Sequence, residues 1–430
     1  MNRPRKARPF YAFYGDDFTG STDVLEALGL HGVESVLFAR TPDARDLAAF
    51  SSCRAIGIAG ESRSRSPAWM SHNLPAIFRG IRKLGAPVNH YKVCSTFDSS
   101  PHVGSIGRAM ELGRAVFRSG PVPIVVGAPR LGRAVVFGNL FAESEGEFYR
   151  IDRHPTMRRH PVTPMMEADL RLHLRKQTSL KIGLVDLTVF QADAVEKRIQ
   201  AELTAGAQAL LFDGFSDRML QETARLVWNR AAQQPIFAAG SSGLTHGLLL
   251  HWRSIGLIPA AKKPSRPKSV DRLLVLSGSC SPATAKQIGR AKQSGFVTLR
   301  LRGAPPWGTQ AAKAIEALRS GTSVVLYTAL GPQRKDEKHG ERFGAALGTM
   351  LRRLVVDSGV RRVLIAGGDT STHAVKQLGL DALTFAAPLV PGVPLCRGHA
   401  AGSPLDGLEL ALKGGQIGPE DFFAQVRDGS

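Results

Sequence analysis

Two adjacent carboxylates, Asp16 and Asp17, are the residues of this sequence best suited to acid–base chemistry. They lie in a polar turn, residues 14–23, between an apolar run typical of a strand and a pattern typical of a helix. Open α/β sheets bind ligands at the carboxyl ends of their strands, where such a turn would lie. A carboxylate there can accept a proton or bind a cation, although one of the two can equally cap the following helix.

Two further polar clusters follow predicted strands in the first half of the chain. Arg63 comes shortly after an apolar run and could hold a carboxylate through two parallel hydrogen bonds. Lys92 lies at the end of another run, with Ser95 and Thr96 behind it. Each cluster also has a plain structural interpretation, as a solvated arginine or as a lysine paired with a neighbouring acid. A basic segment bounded by prolines, residues 152–161, fits either an anion site or a solvated loop.

Three glycine-rich turns in the last third of the chain have the composition of phosphate-binding loops. Glycine lets backbone N–H groups approach an anion closely, and the N-terminus of a following helix adds a positive potential. Each turn alone is more simply explained as a tight connection, but the three together favour a nucleotide-phosphate site. The candidate ligand-binding residues are Ser279 in the first turn, Gly367, Gly368, Asp369 and Thr370 in the second, and Gly414 and Gly415 in the third.

The elements that must position these residues alternate between β-rich runs and amphipathic helical patterns. This alternation predicts an α/β fold of two domains, each with a mostly parallel sheet covered by helices. A charged segment with two prolines, residues 261–268, predicts the boundary between a domain at 1–262 and a domain at 269–430. Residues 133–143 interrupt the alternation and predict either a β-hairpin or an irregular excursion. The candidate strands are 11–14, 35–38, 55–59, 88–93, 124–127, 182–184, 209–212 and 236–238 in the first domain, and 273–276, 297–301, 323–327 and 363–366 in the second.

The composition restricts the class of protein. The 430 residues, 43% of them hydrophobic, are enough for two or three globular domains. No run approaches the roughly 18–20 consecutive apolar residues of a membrane span. The four cysteines are far apart, which argues against a zinc site or a disulfide scaffold and favours the reducing cytoplasm. The basic start, residues 1–8, lacks the apolar segment of a signal peptide and predicts a short disordered tail.

The net charge of +20 favours anionic partners. The basic residues are scattered and no nucleic-acid-binding motif accompanies them, so we expect a small anionic substrate and neither nucleic acid nor membrane. The P-loop, the dinucleotide fingerprint and the protein-kinase motif set do not occur in the sequence.

Taken in order, these motifs resemble the four-carbon acid sugar kinase family. The turn after Lys92 is most similar to the 3-oxo-tetronate kinase branch, because Cys94 and Asp98 stand where many members have Asp and Arg. The motifs that carry the resemblance are Asp-Asp-Phe-Thr-Gly at 16–20, Ser-Arg at 62–63, Lys92 with Ser-Thr at 95–96, His-Pro-Val-Thr-Pro-Met at 160–165, Gly-Ser-Cys-Ser at 278–281, Gly-Gly-Asp-Thr-Ser at 367–371, and Lys-Gly-Gly-Gln-Ile-Gly at 413–418.

The resemblance implies an ATP-dependent kinase that phosphorylates the terminal hydroxyl of a sugar acid of the 3-oxo-tetronate, threonate or erythronate type. It implies a first domain that holds the sugar acid, a second that holds ATP with Mg²⁺, and an active site in the cleft between them. A homodimer is compatible with it. The alternatives are a phosphatase or another phosphotransferase with an aspartate nucleophile, and a non-enzymatic anion-binding protein.

The resemblance also implies a role for each candidate residue. Asp17 would be the general base and Asp16 would position it or order a cation, with the two roles interchangeable on this evidence. The metal ligands are not assigned, although Asp369 is a candidate through water. The substrate-binding residues implied are Arg63, Lys92, Ser95 and Thr96, and the glycine-rich turns would hold ATP.

Overall fold

A computed structural model of the protein describes residues 8–160, 162–260, 265–331 and 340–430. Side chains at 340–342, 369 and 370 also lie outside the description. Four sequence predictions therefore fall outside the described residues, wholly or in part. They are the tail at 1–8 apart from its last residue, the linker at 261–264 with the boundary at 262, Pro161 of the His-Pro motif, and the side chains of Asp369 and Thr370.

The elements alternate as the sequence predicts, and the α/β class with mostly parallel sheets is confirmed. The strands are β1 (Tyr11–Gly15), β2 (Ser35–Phe38), β3 (Ala55–Ala59), β4 (Val88–Lys92), β5 (Val122–Val125), β6 (Arg133–Val136), β7 (Asn139–Ser144), β8 (Glu147–Arg150), β9 (Ile182–Val185), β10 (Ala209–Phe212), β11 (Ile236–Gly240), β12 (Leu274–Ser277), β13 (Val297–Arg300), β14 (Val324–Tyr327), β15 (Arg362–Ala366), β16 (Ala382–Val390), β17 (Val393–His399) and β18 (Glu409–Lys413). The helices are α1 (Phe18–Leu30), α2 (Ala44–Ala49), α3 (Pro67–Lys83), α4 (Ile106–Phe117), α5 (Leu170–Arg175), α6 (Leu187–Gln191), α7 (Val195–Thr204), α8 (Asp217–Ala231), α9 (Ser242–Ser254), α10 (Pro282–Gln293), α11 (Gly308–Arg319), α12 (Gly340–Ser358), α13 (Gly368–Leu378) and α14 (Phe422–Asp428). Across the described residues, no helix combines the length and apolar character that crossing a membrane requires.

The chain divides into two compact units that do not follow simple sequence order. Of the described residues, unit 1 contains 8–16, 31–35, 41–160 and 162–260, and unit 2 contains the rest. The early helix α1 and almost all of β2 thus belong to unit 2, and the division between the units falls between Asp16 and Asp17.

Unit 1 is built on a parallel sheet with the strand order β3-β1-β4-β11-β5-β10-β9. All residues of its central strands β1 and β4 are buried, as expected for a parallel sheet covered on both faces. Leu74 and Phe78 of α3 and Met110 of α4 belong to the apolar core against this sheet. Strands β6, β7 and β8 form a separate antiparallel sheet, which confirms the hairpin interpretation of residues 133–143.

Unit 2 combines parallel and antiparallel strands in the order β13-β14-β12-β15-β18-β17-β16-β2. The part from β13 to β18 is parallel, whereas β17 and β16 are antiparallel to their neighbours. Strands β16, β17 and β18 are not among the strands predicted from the sequence. Pro388 and Pro394, which weaken a strand pattern, lie in β16 and β17 and face each other across an irregular register.

Helix α1 packs tightly inside unit 2. A Cβ atom at Gly29 would overlap the ring of Phe385 on β16, at 2.2 Å, so only glycine allows this approach. The backbone N–H of Gly392, in the turn between β16 and β17, donates to the buried Glu26 carboxylate of α1 at 2.7 Å. These contacts explain why α1 belongs to the second unit although it is early in the sequence.

Candidate active site

One group of candidate residues lies in unit 1, at the carboxyl ends of β1 and β4. The parallel register places Gly15 opposite Lys92. The backbone N–H of Asp16 donates to the carbonyl oxygen of Lys92 at 2.9 Å. Both side chains are buried, with exposures of 4% for Asp16 and 3% for Lys92. The structure therefore brings these two predicted residues to one edge of the sheet.

Arg63 holds the Asp16 carboxylate in a bidentate ion pair. Its Nε donates to Oδ2 and its Nη2 to Oδ1, both at 3.1 Å. The Asp16 side chain is 5% exposed and the Arg63 side chain 25% exposed, so the acid is the deeper partner. The Arg63 N–H also donates to the Asp16 carbonyl oxygen at 3.1 Å. The arginine predicted to hold a carboxylate thus holds one of the protein's own.

The turn after β4 contains a hydrogen-bonded network centred on Asp98. Thr96 Oγ1 donates to Asp98 Oδ1 at 2.6 Å, and Thr163 Oγ1 donates to Asp98 Oδ2 at 3.1 Å. The Thr163 N–H donates to Nδ1 of His160 at 3.0 Å. Burial alone would raise the pKa of Asp98, but the charges of Arg63 and His160 and the two hydroxyl donors lower it below its usual value. Asp98 is therefore anionic at neutral pH.

Ser95 lies in the same turn, half-buried, and takes no part in the hydrogen bonds to Asp98. The turn packs closely on the Arg63 backbone, because a Cβ at Gly104 would lie 2.5 Å from the Arg63 carbonyl oxygen. Phe97 adopts a left-handed φ of 55°, which is uncommon for a bulky residue and typical of functional turns. Asp98, His160 and Thr163 were not among the candidate residues. For Asp98 the sequence did contain a signal, because an aspartate stands there where many family members have an arginine.

Another group of candidate residues lies in unit 2 and includes Asp17. The Gly20 N–H donates to Asp17 Oδ1 at 2.6 Å, so Asp17 is the aspartate that caps α1. Its other oxygen, Oδ2, lies 3.9 Å from the position that a Cβ of Gly368 would occupy. Asp17 therefore lies beside the first residue of α13, where the second glycine-rich turn enters its helix.

The three glycine-rich turns lie together at the ends of β12, β15 and β18. The Gly278 N–H donates to the carbonyl oxygen of Ala366 at 3.0 Å, and the Gly367 N–H donates to that of Lys413 at 2.9 Å. A Cβ at Gly415 would lie 2.7 Å from Ser279 Oγ, so the first and third turns are in close contact. The predicted turns thus converge within one compact unit.

Buried polar groups surround the turns. The Ser277 and Ser281 hydroxyl oxygens are buried and have no hydrogen-bond partner among the residues that the structure describes. Ser279 Oγ accepts from the Ser281 N–H at 3.2 Å. Buried polar atoms are almost always paired in folded proteins. Unpaired hydroxyls beside glycine-rich turns fit the oxygens and hydroxyls of a bound nucleotide.

Lys413 is a buried lysine that was not among the candidate residues and entered the sequence motifs only as the first residue of the third turn. Its side chain is fully buried, and its Nζ donates to Thr284 Oγ1 at 3.0 Å and to the Gly415 carbonyl oxygen at 3.3 Å. Burial lowers the pKa of Lys413 to about 7. Strand periodicity cannot reveal such a residue, because a lysine at a strand end normally reaches solvent.

Carboxylates near the turns bear on magnesium binding. In the described part of the chain no group of three or more His, Cys, Asp or Glu side chains could hold a metal ion by itself. Magnesium bound with ATP needs only one or two carboxylates, since the phosphates supply other ligands. Asp369, in the first turn of α13, is the candidate carboxylate there, and its side chain lies outside the described residues.

The fold is that of a two-domain α/β protein, and each of its two units contains one group of candidate residues. Residues 11–248 match the model of a sugar-binding N-terminal domain, and residues 274–423 match that of a nucleotide-binding C-terminal domain. The chain belongs to the four-carbon acid sugar kinase family, and the resemblance inferred from its motifs is confirmed. Its class is therefore that of a sugar acid kinase.

Curated relatives extend over nearly the whole chain. A 3-oxo-isoapionate kinase of Paraburkholderia graminis is 45% identical and covers 97% of this chain and 94% of its own. A 3-oxo-tetronate kinase of Pseudomonas savastanoi pv. phaseolicola is 32% identical and covers 98% of this chain and 97% of its own. A crystal structure of a Salmonella typhimurium LT2 protein superposes with a TM-score of 0.77 at 24% identity, covering 97% of this chain and 98% of that one. The last similarity concerns the fold alone.

Proposed function

We propose that this protein is an ATP-dependent kinase that phosphorylates a terminal hydroxyl of a 3-oxo sugar acid. The observation that carries the proposal is the position of Asp17 beside Gly368, in the same unit as three converging glycine-rich turns. A proton acceptor and a phosphate-binding region are the two parts that phosphoryl transfer to an alcohol requires. The 45% identity to a 3-oxo-isoapionate kinase, against 32% to a 3-oxo-tetronate kinase, makes 3-oxo-isoapionate the first substrate to test.

In the proposed reaction the substrate hydroxyl oxygen forms a bond to the γ-phosphorus while the bond to the β–γ bridging oxygen breaks. Asp17 takes the hydroxyl proton, and ADP leaves with the bridging oxygen. The hydrogen bond from the Gly20 N–H to Oδ1 fixes the orientation of the carboxylate, and Oδ2, on the side of Gly368, would act as the base. The N-terminus of α13 at Gly368 and the glycine-rich turns would stabilise the charge on the phosphates.

Magnesium would neutralise the β- and γ-oxygens of ATP when bound. Asp369 stays the candidate residue that would hold it, through water. The remaining proposed ATP-binding residues are Ser279, Gly367, Gly368, Thr370, Gly414 and Gly415.

The acid substrate is proposed to bind on unit 1 at Arg63, Lys92, Ser95 and Thr96. Asp16 then acts by fixing the orientation of Arg63, because both of its oxygens accept from that guanidinium. The hydroxyl proton of Thr96 is directed to Asp98 in the turn, so its oxygen can accept from a substrate hydroxyl.

The test is a coupled ATP-consumption assay on 3-oxo-isoapionate, 3-oxo-tetronate, the threonates, the erythronates and glycerate. ATP consumption that depends on one of the 3-oxo acids supports the proposal, and activity on none of the panel refutes it. Phosphate release from phosphorylated acids without ATP would instead indicate the phosphatase alternative. Binding of an acid without turnover would indicate the anion-binding alternative.

The role of Asp17 is tested with Asp17→Asn, because asparagine also caps helices while it cannot take the proton. We expect MgATP to bind with unchanged affinity and kcat to fall by about 10²–10⁴-fold, the usual contribution of a general base. Asp23→Asn on the same helix is the matched control and should keep kcat within twofold. Near-normal turnover of Asp17→Asn would exclude it as the base. The homodimer stays a prediction, which light scattering on the purified protein can check.

A further inference from the structure

Lys413 is a fully buried cation that the proposed reaction does not use. Lysine is almost never fully buried unless it is paired with an acid. Among the residues that the structure describes, no carboxylate forms an ion pair with Lys413, and its Nζ contacts are the Thr284 hydroxyl and the Gly415 carbonyl. Burying a lysine that has no ion pair among the described residues is costly, so its presence here points to a role beyond packing.

The contacts of Lys413 connect it to all three glycine-rich turns. Its carbonyl oxygen accepts from the Gly367 N–H of the second turn at 2.9 Å. Its Nζ donates to the Gly415 carbonyl oxygen of the third turn at 3.3 Å. It also donates at 3.0 Å to Oγ1 of Thr284, on the helix that follows the first turn, and that hydroxyl donates to the Gly415 carbonyl at 2.7 Å.

We propose that Lys413 is a positioning residue for the nucleotide phosphates. It holds the Gly415 carbonyl toward the protein interior, and it places a positive charge beneath the turns. This inference depends on the proposed ATP-binding role of the turns. A carbonyl oxygen that faced the phosphates would repel them, and two buried donors prevent that orientation. In a region of low dielectric constant, a charge that does not itself contact the phosphates still attracts them strongly.

A purely structural lysine at this place is harder to explain. An apolar side chain of similar length, such as methionine, would fill the same space without the cost that burial imposes on the ammonium group. Burial lowers the pKa of Lys413 to about 7, which reflects that cost.

The test compares Lys413→Met with Lys286→Met, which removes a lysine from the exposed surface of α10. MgATP affinity is measured by calorimetry, both KM values by steady-state kinetics, and the melting temperature by scanning calorimetry. For Lys413→Met we expect the MgATP Kd to rise at least tenfold. The KM for the acid at saturating ATP should change less than twofold, and the melting temperature should not fall. Lys286→Met should leave all of these unchanged.

Two results would overturn the inference. One is an unchanged MgATP Kd in Lys413→Met, and the other is a parallel loss of melting temperature and of affinity for both substrates. If Lys413→Met does not fold, Thr284→Val decides, since it removes one of the two donors to the Gly415 carbonyl. It should raise the MgATP Kd about threefold or more, and an unchanged Kd would refute the role. If the wild-type protein itself does not bind MgATP, the proposed function fails instead.

Discussion

The Arg63–Asp16 ion pair leads to a prediction about unequal costs of removing its two partners. The Asp16 side chain is 5% exposed and the Arg63 side chain 25% exposed. Arg63→Met leaves a buried carboxylate without its cation. Asp16→Asn leaves a guanidinium that water can reach, with an amide oxygen that still accepts from it. The arginine variant should therefore be the less stable of the two.

The magnitudes follow from the geometry. Breaking a buried pair by removing one partner costs about 3–5 kcal/mol, and the partial exposure of Arg63 places this case near 3 kcal/mol. Asp16→Asn should cost only about 1 kcal/mol, the net value of an ordinary hydrogen bond. A matched control is Arg65→Met, because Arg65 pairs with the less buried Glu61 and should cost under about 1 kcal/mol.

The assay is urea unfolding followed by tryptophan fluorescence in a Trp307→Phe background. The three remaining tryptophans, Trp69, Trp228 and Trp252, all lie in unit 1, so the signal reports on that unit alone. With a slope near 3 kcal/mol per molar urea, Arg63→Met should lower the midpoint by about 1 M. If Asp16→Asn lowers the free energy of unfolding as much as Arg63→Met or more, the reasoning is refuted. The buried carboxylate would then not need the arginine more than the arginine needs the carboxylate.

Two further predictions concern the glycine turns and the response to acid. Gly415→Ala places a Cβ 2.7 Å from Ser279 Oγ in the first turn and should raise the KM for ATP at least tenfold. The control is Gly289→Ala, whose Cβ would have nothing within 4 Å and which should leave the KM for ATP unchanged. Equal KM values for the two variants would contradict the close packing of the turns. Burial lowers the pKa of His31 to about 4, of His90 to about 3 and of His173 to about 4, from 6.5. Below pH 6.5 these three imidazoles therefore bind protons in the unfolded chain but not in the folded unit 1. The free energy of unfolding of unit 1 should fall as the pH drops from 6.5 toward 4, by up to about 4 kcal/mol per pH unit. Urea midpoints at pH 7.5, 6 and 5 measure this, and a constant midpoint would show that these imidazoles are not buried in the neutral form.

Local patterns were sufficient to predict where much of the chemistry lies. Asp16 and Lys92 could be placed at one edge of a sheet because each follows a buried run, and parallel neighbours end on the same side. The first two glycine-rich turns could be recognised because each separates a predicted strand from a predicted helix, and the third could be recognised from its glycines. In these cases the order of strand, turn and helix determines where the residue lies, and a short stretch of sequence is enough to predict that order.

The remaining features depend on which distant element a segment packs against. Nothing in the pattern of α1 shows that it joins unit 2, because that follows from the fit of Gly29 against Phe385. The burial of Lys413 and the network around Asp98 arise in the same way, from residues far away in the sequence. A periodic pattern identifies the buried face of an element but not the element that covers it.

The different surroundings of Asp16 and Asp17 explain how two neighbouring carboxylates can have separate roles. Both oxygens of Asp16 accept from the Arg63 guanidinium, and a carboxylate bound in this way is a poor proton acceptor, since protonation would break the pair. Asp17 uses one oxygen to cap α1 and presents the other beside Gly368. These different surroundings support the proposal that Asp17 is the base and that Asp16 acts through Arg63, two roles that the sequence alone left interchangeable. Loss of Asp16 should act on the binding of the acid substrate through Arg63, and loss of Asp17 should act on the chemical step.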